Sequence, residues 1–469
     1  MTPGPSVVFA ERPAAAEPRP YAFPPFRRKR IANGLSIIAV DMPGRPLLTA
    51  SLVVPGGATE EPADLAGATV MMARALTEGT EVRDAVALVE AIERLGASLH
   101  AEAGWDALSI SLDVPAGRFA AALDLVAEVA SQPTFPIAEV ERLREERLND
   151  ILQARADPRR RAEDAFIDTI YAPSSPYHRS SAGVTETVER LDAATSRAEL
   201  ARRFDPARMT LIVGGDLTGL DVEGLVTERF GGWTADPAAA LPGPIDATPA
   251  ASHRRLRVVH RPGSVQTEIR IGHPGAPRRI ADFHALSVMS SILGGLFNSR
   301  LNRVLREEKG YTYGAHAGFD LRRAAGPFAA RAAVDTAVTV PAILETLTVI
   351  EGIAGGVTPA ELDEARDFLV GVFPLRFETA GAVVGALSGL VIHGLPDDEL
   401  ARYRPAIQAV TADNVAAAAV AHVHPDELAI VLVGDADAFL PELEAAGLGP
   451  IEVERDAPAP AAEVDDEER

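Results

Sequence analysis

Cysteine is absent from all 469 residues, which excludes a disulfide framework and any thiolate metal site. A surplus of positive charge is absent too: 45 Lys and Arg stand against 67 Asp and Glu, a net charge of −22. Nucleic-acid binding draws its affinity from clustered cations, so no nucleic-acid partner is expected. The one basic run, Arg27-Arg28-Lys29-Arg30, opens a strand-like segment and reads as a solvated face. The first twenty residues, MTPGPSVVFAERPAAAEPRP, have no basic n-region and only a short apolar run, unlike a secretory signal. The longest apolar run, Ala380 to Ile392, is interrupted by Ser388 and is shorter than the ~20 residues of a membrane span. A soluble cytoplasmic chain with no membrane partner is the expectation.

What is present is an ordinary globular composition, 47% hydrophobic and 24% charged, on a chain too long for one core, since single cores stop growing near ~250–300 residues. The segment Trp233 to Arg255 is rich in Pro and Ala and reads as a linker. The sequences on either side repeat one design. Leu191 to Asp216 (LDAATSRAELARRFDPARMTLIVGGD) and Ile407 to Asp435 (IQAVTADNVAAAAVAHVHPDELAIVLVGD) each run from a Thr cap (Thr195, Thr411) through a helix and a Pro to a β-branched strand ending in Gly-Asp. Ile137-Ala-Glu-Val-Glu matches Pro359-Ala-Glu-Leu-Asp, each opening a helix. Matching order and spacing predict two related domains.

Within each half, period-two strands such as Ala107 to Val114 alternate with amphipathic helices such as Ala138 to Ala154. The fold class is α+β: two homologous domains, each a mostly antiparallel sheet with helices packed on it. The expected boundaries are a flexible extension over 1–25, a first domain over 26–235, a linker over 236–255, a second domain over 256–440 and an acidic, disordered tail over 441–469.

Three landmarks stand in order: Gly57-Ala-Thr-Glu-Glu-Pro before a helix ending Ala75-Leu-Thr-Glu-Gly-Thr80; Leu95-Gly-Ala-Ser-Leu-His-Ala101 into a strand; and Leu293-Gly-Gly-Leu-Phe-Asn-Ser-Arg-Leu301 followed by Leu305-Arg-Glu-Glu-Lys-Gly-Tyr-Thr-Tyr-Gly314. With the repeat, they make the chain resemble the M16 metallopeptidases (insulinase, pitrilysin and mitochondrial processing peptidase type), from about Arg27 to Phe439. The resemblance implies an M16/LuxS-like metallohydrolase fold forming one half of a clamshell. Active members carry H-x-x-E-H on the first helix, two His binding zinc and a Glu serving as general base. The matching positions here are Val70, Ala73 and Arg74, with Asp150 at the counted place of a third ligand on a later helix. Val and Ala have no lone pair, and a permanently protonated Arg repels a cation. No zinc is expected in this chain.

The resemblance further implies that Arg306 and Tyr313, seven positions apart, project toward a catalytic chamber, where family members hold substrate backbone and steady an oxyanion. Ser299 or Asn298 is expected to cap the helix carrying Arg306, with Gly310 ending it and a strand starting at Tyr311. Gly294 and Gly295 are a candidate flexible loop near substrate. The edge that would pair with a peptide includes His100 and Ala101, where the family usually has Asn in place of His100. The pattern resembles the non-catalytic subunit of two-chain peptidases, whose partner bears H-x-x-E-H and the zinc and whose substrate is a peptide. A proteolytically inactive scaffold and a peptide-binding homodimer are the alternatives.

Overall fold

A computed structural model of the chain describes residues 18–235 and 243–455. Twelve strands form two six-stranded sheets. The first contains β1 (Phe26–Arg30), β2 (Ser36–Asp41), β3 (Leu47–Pro55), β4 (Ser98–Ala103), β5 (Ala107–Pro115) and β6 (Thr210–Gly215), in the order β1-β2-β6-β3-β5-β4. The second contains β7 (Arg255–His260), β8 (Gln266–Pro274), β9 (Ala315–Phe319), β10 (Pro327–Asp335), β11 (Ala429–Gly434) and β12 (Ile451–Arg455), in the order β12-β7-β11-β8-β10-β9. From β2 to β6 and from β7 to β11 the two orders correspond strand for strand. Both sheets are mixed: β2 runs parallel to β6, and β7 lies parallel to both β11 and β12.

The sixth strand of each sheet comes from an opposite end of its repeat. In the first sheet it is β1, before the repeat; in the second it is β12, after it. Residues 441–455, expected to be tail, therefore complete the second domain as the end of the Ala436–Ala445 helix and as β12. The remainder of that tail lies outside the described residues, as do 1–17 of the extension and 236–242 of the linker. Of the extension, Tyr21 and Phe23 pack edge-on against Phe373 and Phe377.

Each sheet buries one face under its own helices. In the first domain these include α1 (Ala68–Ala75), α2 (Ala85–Arg94), α3 (Phe119–Ser131) and α4 (Ile137–Ala156). Leu48, Ala50, Leu52 and Val54 alternate along β3 toward that core with Leu108, Ile110 and Leu112 of β5. The Thr336–Gly355 helical stretch is long and apolar enough to span a membrane, yet its Val340, Ile343, Leu347 and Ile350 lie in the second-domain core.

The opposite face of each sheet is covered by a helix from the other domain. α5 (Pro158–Ile170) follows α4 after Asp157, whose carboxylate accepts the Arg160 N–H and which leaves Pro158 at the first helical position. Its Ala162, Ala165, Phe166 and Ile170 bury against Val259, Ala329, Val431 and Val433 of the second sheet. In return, the Ala380–His393 helix, capped by Thr379, sets Val383, Val384, Leu387 and Leu390 on Ile38, Val40, Val53 and Ile212 of the first sheet. Burial is worth roughly 1.5–3 kcal/mol per large apolar side chain, so this reciprocal exchange couples the domains through their cores.

Candidate functional site

α1 begins where the buried carboxylate of Glu61 accepts the N–H groups of Gly67 at 2.8 Å and Thr69 at 2.6 Å, an anion placed at a helix N-terminus. Burial pushes the Glu61 carboxyl up, against those hydrogen bonds and the nearby Arg203. Beside it, Glu60 faces Arg203, Arg208 and Arg323 at 3.6–3.8 Å, the last reaching across from the second domain. The Gly57-Ala-Thr-Glu-Glu motif thus anchors α1 and the domain interface together.

On α1, Ala73 is buried, Val70 is partly buried, and Arg74 projects outward to form an ion pair with Glu146 of α4 at 2.8 Å. Asp150, the carboxylate picked by counting, does not meet Arg74. Its partners are Arg147 and Arg160; burial raises its pKa, but the two guanidiniums outweigh that and hold it below the carboxylate range. The carboxylate that meets Arg74 is Glu146, one helical turn before Asp150. A guanidinium supplies the positive charge that a cation would bring, and these residues do not fit zinc. The double variant V70H/R74H should acquire zinc in equilibrium dialysis, with Glu146 as the third ligand. In that background E146Q should weaken binding about 100-fold or more, extrapolating from the 10–100-fold losses of supporting groups, and D150N should leave it unchanged. The reverse ranking would show that α4 presents Asp150 instead.

Among the described residues one other group lies close enough for a cation: His260, Asp435 and Asp437. Each is already engaged. His260 Nδ1 accepts the Ala436 N–H at 3.2 Å, Asp435 accepts the Gly263 N–H at 2.8 Å, and Asp437 pairs with Arg455 at 3.0 Å.

The second-domain segment is built for rigidity. Ser299 caps a helical turn by accepting the Asn302 N–H, and the helix continues in π form through Arg303–Glu308. Gly310, at φ +66°, ends it in the left-handed region that favours glycine. The strand expected at Tyr311 begins only at Ala315, so Tyr311 to Gly314 form a loop. That loop is braced at both ends. Tyr311 N–H donates to the Leu305 carbonyl at 2.8 Å, and Ala315 N–H donates to Asn302 Oδ1 at 2.8 Å. Between them the Thr312 hydroxyl accepts the Gly314 N–H at 3.2 Å and donates to the Gly314 carbonyl at 3.0 Å. Tyr313 stands out of this clamp, 97% exposed, and makes no hydrogen bond among the described residues.

Arg306 lies with its guanidinium carbon 3.8 Å above the ring of Phe297 and its Nη2 2.6 Å from Glu307. The stack fixes the plane of the fork. Phe297, within the quoted Leu293-to-Leu301 motif, is the supporting residue that sequence reasoning did not single out. Gly294 and Gly295 are not a loop. They close a π-helical turn, Ser291–Gly295, in which a Cβ on Gly294 would lie 2.2 Å from the Ala317 amide nitrogen. Gly294 lets the helix touch β9 directly. His100 and Ala101 lie on β4, the free edge of the first sheet, with His100 exposed.

Two α+β repeats, a first helix without the H-x-x-E-H residues and a braced Arg–Tyr segment carry the landmarks of a metallopeptidase class. Comparison with known proteins agrees. A family model described as "Insulinase (Peptidase family M16)" matches residues 37–178, and one described as "Peptidase M16 inactive domain" matches 195–369. The chain belongs to peptidase family M16. It is similar to a protein of Mycobacterium tuberculosis named uncharacterized zinc protease, 27% identical over 77% of this chain and 82% of the relative. It is also similar to the non-peptidase homolog YmxG of Helicobacter pylori, 24% identical over 73% and 78%. The crystal structure of a peptidase M16 inactive domain from Pseudomonas fluorescens superposes with a TM-score of 0.80 at 25% identity, covering 87% of this chain and 98% of that one.

Proposed function

We propose that the chain is the non-catalytic subunit of a two-chain M16 zinc metallopeptidase that cleaves peptides, the zinc and H-x-x-E-H residing in a partner. Arg306 would hold the backbone of the bound peptide through its fork, and the Tyr313 phenol would donate to the oxyanion as the carbonyl becomes tetrahedral. The observation that carries this reading is Tyr313 itself. An almost fully exposed aromatic, unbonded and held out by a loop tied down on both sides, has no work to do inside this chain. A phenol presented to solvent on a braced loop has its use against another molecule. The family's inactive-domain match and the non-peptidase name of one relative support the absence of chemistry in this chain alone. Cytoplasmic placement belongs to the same proposal.

The test is a tagged purification from the native host, with mass spectrometry of stoichiometric companions. A companion of similar size bearing H-x-x-E-H, whose peptide cleavage requires this chain, is the expected result. Recovery of this chain alone, inert toward peptides, would replace the reading with an inactive scaffold or a peptide-binding homodimer.

A further inference from the structure

Beside Arg306 opens a cavity of about 890 Å³. Its floor is the outward face of the second sheet at β8 and β10, its far wall is the start of α5, and its mouth is formed by Phe297, Arg306 and the first residues of β9. β9 is a free sheet edge, so the cavity opens where an added peptide strand would run.

The lining is unlike the rest of this acidic chain. Four guanidiniums (Arg159, Arg270, Arg306 and Arg331) face it against two carboxylates, Glu163 and Glu268. Even when Glu307, the partner of Arg306, is counted, four positive charges meet three negative ones. Each lining carboxylate is tied to guanidiniums through one of its two oxygens. Glu163 accepts from Arg270 Nε at 2.7 Å and from Arg331 Nε at 3.0 Å, and Glu268 accepts from Arg270 Nη1 at 2.8 Å. Arg270, 2% exposed, spends its remaining donors on the Ile269 and Arg159 carbonyls. What is left over is donor capacity: the terminal nitrogens of Arg331, and the whole side chain of Arg159, have no hydrogen-bond partner among the described residues. Glu163 takes both of its bonds on Oε1 and Glu268 takes its bond on Oε2, so the site's preference rests on its surplus of guanidiniums. A concave site with spare guanidinium donors and net positive charge is complementary to a carboxylate.

We propose that this cavity takes a carboxylate carried by the bound peptide, either an Asp or Glu side chain or the C-terminus, with Arg331 and Arg159 as its donors. The proposal rests on the reading of Arg306 and Tyr313 as a peptide-facing pair, and it gives that site a substrate class. Arg306 at the rim engages backbone, and the arginines behind it select for negative charge nearby. Buried Arg270 acts by orienting Glu163, which in turn holds the Arg331 fork in place.

The experiment uses the purified full chain without any partner, titrated calorimetrically at low ionic strength with three acetylated pentapeptides of otherwise identical sequence. One has an internal Glu and an amidated end, one has Gln and a free C-terminal carboxylate, and one has Gln and an amide. At least one charged peptide should bind about tenfold or more tightly than the neutral one, the effect of a hydrogen bond to a charged group. Preference for the first assigns the site to side chains, and preference for the second to the C-terminus. R331Q should erase the difference. R159Q, at an exposed position with no side-chain hydrogen bond among the described residues to lose, should reduce it severalfold. Equal binding of all three, no binding of any, or a preference that survives both variants overturns the proposal. Because no zinc partner is present, failure here is distinguishable from failure of the co-purification: the two-chain assignment can stand without a carboxylate preference, and a carboxylate preference can be seen when no catalytic companion is recovered.

Discussion

If the proposed two-chain enzyme is reconstituted, replacing Tyr313 by Phe is expected to lower its peptide cleavage about 10²–10³-fold in kcat, the loss measured when one oxyanion donor is removed, with KM and thermal stability unchanged. The reasoning is geometric. At 97% exposure the side chain has almost no packing, and it makes no hydrogen bond among the described residues, so removing the hydroxyl has little to destabilise. The loop that carries it is tied by the Leu305, Asn302 and Thr312 hydrogen bonds, none of which involves the phenol. The braced loop fixes the Tyr313 backbone, and contact with a partner and substrate would orient the phenol, the condition under which such a donor has its value. Steady-state kinetics on the complex, with calorimetry on the isolated variant, checks both halves of the statement. Wild-type turnover in Y313F would remove Tyr313 from the chemistry. A fall in Tm would reassign it to structure.

The largest stability effect is expected at Phe166→Ala, about 3–5 kcal/mol for removing a fully buried aromatic. Phe166 belongs to α5, on the first repeat, but its ring lies over β8 of the second sheet, at Gly272, where a Cβ would stand 2.9 Å from the ring edge. The glycine leaves the backbone bare and the Phe fills the space. Because α5 and the Ala380–His393 helix each serve the other domain's sheet, neither repeat can keep its outer face covered when the other unfolds. A single calorimetric transition is therefore expected for the wild-type chain, and F166A should move it as one unit. Two transitions, with F166A shifting only one of them, would mean that the exchanged helices do not couple the domains.

The difference between Glu146 and Asp150 shows how far counting reaches along a helix. The two lie four residues apart and share a face of α4, so residue type and spacing alone cannot separate them. Their distances along the chain from Arg74 differ by one turn, and only the height at which α4 crosses α1 decides which carboxylate arrives. Arg74 meets Glu146, while Asp150 is drawn toward Arg160 on the next helix.

Local regularity carried most of what the sequence by itself determined. Strands such as β5 show their period of two, the Thr411 cap marks a helix start, and the repeat is legible in the matching Gly-Asp strand ends. The loss of zinc chemistry was equally legible, because metal ligands four residues apart on one helix turn are a local requirement that Val70 and Arg74 cannot meet. At Thr195 the local reading erred by one turn of capping geometry: Asp192 accepts the Thr195 N–H and is the cap.

Only the tertiary structure decided which surface each amphipathic helix would cover. The apolar face of α5 fits either sheet in composition, and its assignment to the second follows from the direction in which the chain leaves α4 at Asp157. The same holds for β12, whose Ile-Glu-Val-Glu-Arg pattern is too short and too acidic to announce a strand until β7 offers a parallel edge. The surplus of arginines behind Arg306 gathers Arg270 and Arg331 of the second sheet with Arg159, more than a hundred residues before them on the first repeat. Such long-range pairings are set by how the sheets and helices close on one another, and a linear pattern has no term for that.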